Sequence, residues 1–227
     1  MKKRKCDNGR SELFLSGMFI LLFAVWTIML QTVDVQSIGP NDSSVGLAAF
    51  NQWFHNLTGV NLTIYILTDW LGLVPIFICL IFASLGLGQL LKRRSLGKVD
   101  YDIILLGIYY SIVILSFLIF ETIPLNYRPV LIEGVLEVSY PSSTTLLVLT
   151  VMPALVEQSR RRIKNKKVKN CLIFVTSCFS SLMVFGRLIS GVHWFTDIAG
   201  GCLLSAGLFW GYKGAVRWWN FTKNCRN

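Results

Sequence analysis

The chain has 227 residues, of which 53% are hydrophobic and only 15% charged, against roughly 25% charged in soluble domains. Its mean hydropathy is +0.56 and its formal charge +10. So apolar a composition excludes an ordinary soluble enzyme. The basic charge is gathered in a few short clusters rather than one continuous face, which argues against nucleic acid as a partner.

A bilayer-spanning helix needs about 20 mostly apolar residues. Six runs are long enough, at about 12–33, 64–91, 101–121, 142–158, 170–187 and 195–216. The expected fold is therefore all-α: one polytopic membrane domain, 1–227, with six transmembrane helices. The first run follows Lys2, Lys3, Arg4 and Lys5, as a signal peptide would. Leu13 to Leu30 is long for such a segment and no small-residue cleavage site follows, so a retained anchor is expected.

Residues 34–63 form the longest loop on their side. It opens with the turn-rich Gly39, Pro40, Asn41, Asp42 and continues as an apolar stretch from Val45 to Leu57. Val45, Ala49, Trp53 and Phe54 recur near helical spacing, predicting a short interfacial helix. The sequons at Asn41, Asn56 and Asn61 read as chance. A loop from Glu121 to Pro141, a basic connector at 160–169 and a tight loop from Gly186 to Trp194 join the later runs. Trp218 and Trp219 look like interfacial anchors.

All but two of the 22 Lys and Arg lie at the N-terminus, at 92–98, at 160–169 and in the C-terminal tail. Cytoplasmic loops carry the excess basic charge, so both termini are expected in the cytoplasm. Cys6 and Cys225 then face the cytoplasm, and Cys79, Cys171, Cys178 and Cys202 fall within spans, which implies no external disulfide framework. The two remaining cations, Arg128 and Arg187, sit on the opposite face, which is otherwise acidic: Asp34, Asp42, Asp69, Glu121, Glu133, Glu137 and Asp197.

His193 and Asp197, four apart at a helix start, share one face. A carboxylate there can accept the imidazole Nδ1–H and leave Nε2 as an aimed nucleophile or base. The plainer alternative is an interfacial histidine beside a helix-start aspartate. Arg128 and Arg187 suit phosphate, because a guanidinium makes bidentate charge-assisted bonds and keeps its proton; snorkelling to headgroups is their plainer reading. Pro141 is expected at the first position of the fourth helix, with the amides around Ser142 and Ser143 free for an anion.

Together these residues resemble the three-part signature of the type 2 phosphatidic acid phosphatase and haloperoxidase superfamily. The matching parts are Arg128-Pro129; Pro141-Ser142-Ser143-Thr144; and Gly186-Arg187, five residues, His193, three residues, Asp197. The resemblance implies that His193 forms a phosphohistidine and Asp197 orients it. Arg128, Arg187 and the Ser142, Ser143, Thr144 segment would hold the phosphoryl oxygens, without metal or other cofactor. It places the motifs in a core at 101–216, with the first two helices shaping lipid access, and implies a lipid phosphate substrate, met at the extracytoplasmic face of the cell membrane.

Four positions depart from the pattern. Glu121 stands where the family has Lys, Gly186 where it has Ser, and Ser143 where it has Gly. Thr144 replaces a histidine that protonates the leaving group. A lipid alcohol leaves as an alkoxide whose conjugate acid has a pKa of about 16, near that of bulk water; without an acid that step loses roughly 10²–10⁴-fold. A diphosphate releases a phosphate monoester with a second pKa of about 6 and needs little protonation. The expectation is a phosphatase that prefers a lipid diphosphate such as a polyprenyl diphosphate. Phosphotransfer to another acceptor, or a silent relative that only binds lipid phosphate, are the alternatives. His55, Glu121, Glu133 and Glu137 lie on the same side and could replace the lost acid; Asp69, early in the second span, is an intramembrane acid and a functional candidate, with a place at the outer interface as its plainer reading.

Overall fold

The computed structural model describes residues 8–225, and no strand occurs among them. The N-terminal basic cluster and Cys6 lie outside the described residues, as does the side chain of Cys225. The helices are α1 (Arg10–Thr32), α2 (Ala48–Thr58), α3 (Leu62–Leu71), α4 (Leu73–Arg93), α5 (Tyr101–Thr122), α6 (Ser143–Arg162), α7 (Lys166–Ile189) and α8 (Phe195–Cys225).

Among the described residues four helices are long and apolar enough to cross a membrane: α1, the run Leu62–Arg93 made by α3 and α4, α5 and α7. The other two expected spans, α6 and α8, are helices but are less apolar. Their position explains this. They form the interior of the bundle, where α6 buries Thr145, Thr150 and Gln158 and α8 buries Thr196, Asp197 and Ser205. Helices lined by protein instead of lipid can carry polar groups that find partners inside. The break between α3 and α4 has a local cause: Pro75 has no N–H to offer the Leu71 carbonyl, so the ladder opens there.

α1 lies along α8 because α8 presents glycines to it. A Cβ at Gly207 would fall 2.6 Å from Ile20, and one at Gly211 or Gly214 2.9 Å from Ser16 or Leu13. The Ser16 hydroxyl donates to the Gly207 carbonyl across 2.7 Å. Small residues bring the backbones close enough for that bond.

The interfacial helix predicted after α1 is α2, and it seats on the start of α8. Buried Asn51 donates to the Gly46 carbonyl (2.9 Å) and to the Thr196 hydroxyl (3.0 Å). Phe50 and Phe54 meet Phe195 edge to face at 5.1 and 5.2 Å. At the opposite end of the bundle, Arg93 pairs with Asp100 and Arg162 with Asp102, each at 2.8 Å, and Tyr101 stacks on Trp219. Basic clusters thus mark one end, and the loops carrying Arg128 and His193 mark the other.

Candidate active site

Arg128 is placed by a hairpin. Tyr127 bridges Val138 and Ile132 bridges Val135, both antiparallel. Glu133 and Gly134 between them both have positive φ, 50° and 79°. That pair of conformations makes the two-residue turn whose twist suits a hairpin. The Arg128 amide donates to the Glu137 carbonyl (3.0 Å), and the Arg128 Nε lies 2.8 Å from Glu137 Oε2.

His193 is placed by the way α7 stops. The Ser190 amide donates to the Gly186 carbonyl (2.9 Å) and the Ser190 hydroxyl to the Arg187 carbonyl (2.8 Å). Gly191 follows in the left-handed region at φ 66°, where a Cβ would also collide with the Gly59 carbonyl. The chain then turns into α8 with Asp197 in its first turn. The Asp197 Oδ2 accepts the Trp194 amide (2.9 Å) and Oδ1 accepts the Asn126 side-chain amide (3.1 Å).

Arg128, Arg187, His193 and Asp197 come together, all buried. Arg128 Nη1 donates to His193 Nε2 across 3.1 Å. A guanidinium only donates, so Nε2 carries the lone pair and the imidazole proton is assigned to Nδ1. Nδ1 lies 3.6 Å from Asp197 Oδ2, and no hydrogen bond joins them. The expected His193–Asp197 bond is therefore replaced by a longer electrostatic contact. Burial first, and the Arg128 charge second, push the His193 pKa down to about 4 against the opposing pull of Asp197. The ring is neutral at physiological pH, as a nucleophile must be.

Arg187 is the largest fully buried side chain. Its Nη2 donates both to Asp69 Oδ1 (2.7 Å) and to Thr144 Oγ1 (2.6 Å). Its Nε and Nη1 are buried without partners. Tyr65 of α3 lies under both cations, its ring centroid 5.6 Å from the Arg128 guanidinium carbon and 4.9 Å from that of Arg187. An aromatic face steadies neighbouring cations, and buried donors left without partners call for an acceptor. A phosphoryl group supplies both the acceptors and the charge.

The start of α6 differs from its expected form. Ser142 is the N-cap, its hydroxyl accepting the Thr145 amide (3.4 Å), so Pro141 precedes the helix instead of opening it. The Ser142 amide donates to the Asp197 carbonyl (3.0 Å) and is not available to an anion. The amides of Ser143 and Thr144, the first two of α6, have no partner among the described residues. These are the free donors of a helix N-terminus.

The other positions also have defined places. Gly186 stands where α7 meets α3: a Cβ there would lie 2.6 Å from Thr68 Cγ2. Glu121 is exposed and lines a small cleft with Pro141 and Ser143, while Glu133 is at the hairpin tip. His55 packs on Trp194 at 5.5 Å between rings, its Nδ1 unpartnered and its pKa lowered by burial; it bonds to none of the four clustered residues. Asp69 reaches the cluster. Tyr65 and Asn126 also belong to it and were not anticipated, although Tyr65 lies one helical turn before Asp69. Among the described residues no three His, Cys, Asp or Glu side chains converge as metal ligands would.

The sequence pattern of the PAP2 superfamily matches residues 13–222. No curated protein sequence matches. Among solved structures, the fold resembles the first transmembrane PAP2 type phosphatidylglycerolphosphate phosphatase from Bacillus subtilis. The TM-score is 0.63 at 16% identity, over 89% of this chain and 96% of that one. At that identity the likeness shows the fold alone. The family match runs through nearly all the helices and every residue of the cluster, and on that ground this chain belongs to the PAP2 superfamily.

Proposed function

We propose that this protein is an integral-membrane phosphatase that removes phosphate from a lipid-linked phosphate, preferring a diphosphate such as a polyprenyl diphosphate. The carrying observation is a junction. Arg187, bonded to both Asp69 and Thr144, adjoins an apolar groove of about 400 Å³ that starts at those two residues and continues past Leu73, Ile76, Val113 and Phe117. A cation pair suits a phosphoryl group and the groove suits a hydrocarbon chain.

In this reading His193 Nε2 attacks phosphorus, the bond to the leaving oxygen breaks, and a phosphohistidine forms. Arg128 turns from Nε2 onto a phosphoryl oxygen. Arg187 offers Nε and Nη1, and the Ser143 and Thr144 amides add neutral donors. Asp197 holds the charge that develops on the imidazole. Such a site works by positioning and charge stabilisation, with fixed cations where other phosphatases use metal.

Thr144 decides the leaving group. Its hydroxyl is held by Arg187, and it is no general acid. The scheme therefore favours a leaving group that departs as an anion unaided. We read α6 and α8 as the inner two of six crossings, both termini as cytoplasmic, and the site as facing outward. Phosphate release by purified protein from a polyprenyl diphosphate and from phosphatidic acid tests the reading; equal or faster release from the monoester contradicts the preference.

A further inference from the structure

A histidine at the position of Thr144 could serve two steps, protonating the leaving group and then deprotonating the water that hydrolyses the phosphohistidine. A diphosphate substrate removes the need for the first. The second remains, because water is a poor nucleophile at neutral pH whatever group has left.

We propose that Asp69 supplies this second function, acting as the general base that activates water against the phosphohistidine. This rests on the phosphohistidine reading above. Three observations support it. Asp69 and Thr144 share one donor, Nη2 of Arg187, at 2.7 and 2.6 Å. Asp69 thus reaches the same guanidinium whose Nε and Nη1 remain for the phosphoryl group. Second, in-line displacement makes the attacking water enter where the leaving lipid departed, opposite Nε2. That lipid lies in the groove, and Asp69 and Thr144 both line its polar end. Third, Asp69 is open on the side turned away from Arg187: its side chain is 61% exposed while that of Arg187 is 2% exposed. Only Oδ1 is bound by Arg187, which leaves Oδ2 to take a proton.

The step balances simply. The water oxygen bonds to phosphorus, the P–N bond breaks, and its electron pair returns to Nε2. The water proton goes to the Asp69 carboxylate, and inorganic phosphate departs. Of the other carboxylates near the site, Glu137 is paired with Arg128 and Asp197 faces Nδ1, while Glu121 bonds to none of the clustered residues and lines a cleft that meets the groove at Phe117, Ser143 and Leu146.

The test is rapid-quench labelling of purified full-length protein with a polyprenyl diphosphate carrying radioactive terminal phosphate. Alkaline quenching preserves phosphohistidine. Wild type, D69N, D69E and H193A are compared. The expected result is that D69N forms the labelled protein within about fivefold of the wild-type rate but loses the label at least about 100-fold more slowly. Label then accumulates, and D69E recovers part of the loss. Unchanged decay in D69N would overturn the proposal. So would equal slowing of formation and decay, because Asp69 would then only position Arg187. Absence of histidine-bound label in wild type, or turnover surviving in H193A, would instead overturn the phosphohistidine reading itself.

Discussion

Arg128 donates from Nη1 to His193 Nε2 across 3.1 Å, so the nitrogen proposed to attack phosphorus is the one bonded in the resting protein. The contact orients the ring and keeps its lone pair from a proton. A phosphoryl oxygen, carrying negative charge, competes better for the guanidinium than a neutral imidazole does. Substrate binding would thereby release the nucleophile.

Replacing Arg128 should therefore hurt in two ways. R128A removes a charge-assisted contact of roughly 1.5–3 kcal/mol, so kcat/KM for a lipid diphosphate should fall about 10–150-fold. R128K should recover little, since an ammonium cannot bridge the positions of His193 and Glu137 as a planar fork can. Steady-state kinetics of the two variants check this.

The pH profile should be displaced towards acid. With a folded pKa of about 4 against an ordinary 6.5, His193 stays neutral well below neutrality. The acid limb of kcat/KM attributable to His193 should therefore lie near pH 4, not 6.5. Stability follows the same sign. Between those values the unfolded chain binds a proton that the folded chain does not, so the His193 contribution is present above 6.5 and lost as pH falls towards 4. Denaturation midpoints in detergent across that range, with H193N as control, check the second claim.

Thr144 should control the choice of leaving group. T144H introduces an imidazole at the polar end of the groove and should raise monoester turnover relative to diphosphate turnover by about tenfold or more. T144A removes only the bond to Arg187 and should lower both substrates alike. Turnover of the two lipids by each variant separates these effects.

Gly186 should resist reversion. G186S restores the family residue but puts its Cβ 2.6 Å from Thr68 Cγ2, where α3 and α7 touch. Thr68 is buried and holds the Ile64 carbonyl, so it has little room to move. A loss of about 1–3 kcal/mol is expected, the usual cost of overpacking. Thermal unfolding of the variant in detergent checks it.

The arginines, His193 and Asp197 were legible because charge is rare in this sequence and each stands alone among apolar residues. α2 was legible from its spacing. The lower hydropathy of α6 and α8 did not by itself show that they are interior, because only the fold reveals that their buried Thr, Ser and Gln side chains find partners inside the bundle. Nor could it show that Ser142 is consumed in capping α6 and bonding the Asp197 backbone, since a Ser at a helix start serves either purpose. Tyr65 was invisible for a different reason: within an apolar run an aromatic reads as lipid-facing, and only the packing of α3 on α7 together with the hairpin that carries Arg128 brings it under two cations. Asp69 stood out as an acid in a span, but its partner lies far along the chain on α7.

The central claim is that His193 is the nucleophile of a lipid phosphatase. Its most direct measurement is phosphate release from a polyprenyl diphosphate by purified protein, with H193A prepared identically. Release by wild type that vanishes in H193A is predicted. Release that persists in H193A would contradict it, and so would none from wild type with either the diphosphate or phosphatidic acid, which would leave Arg128 and Arg187 as a site that only binds phosphate.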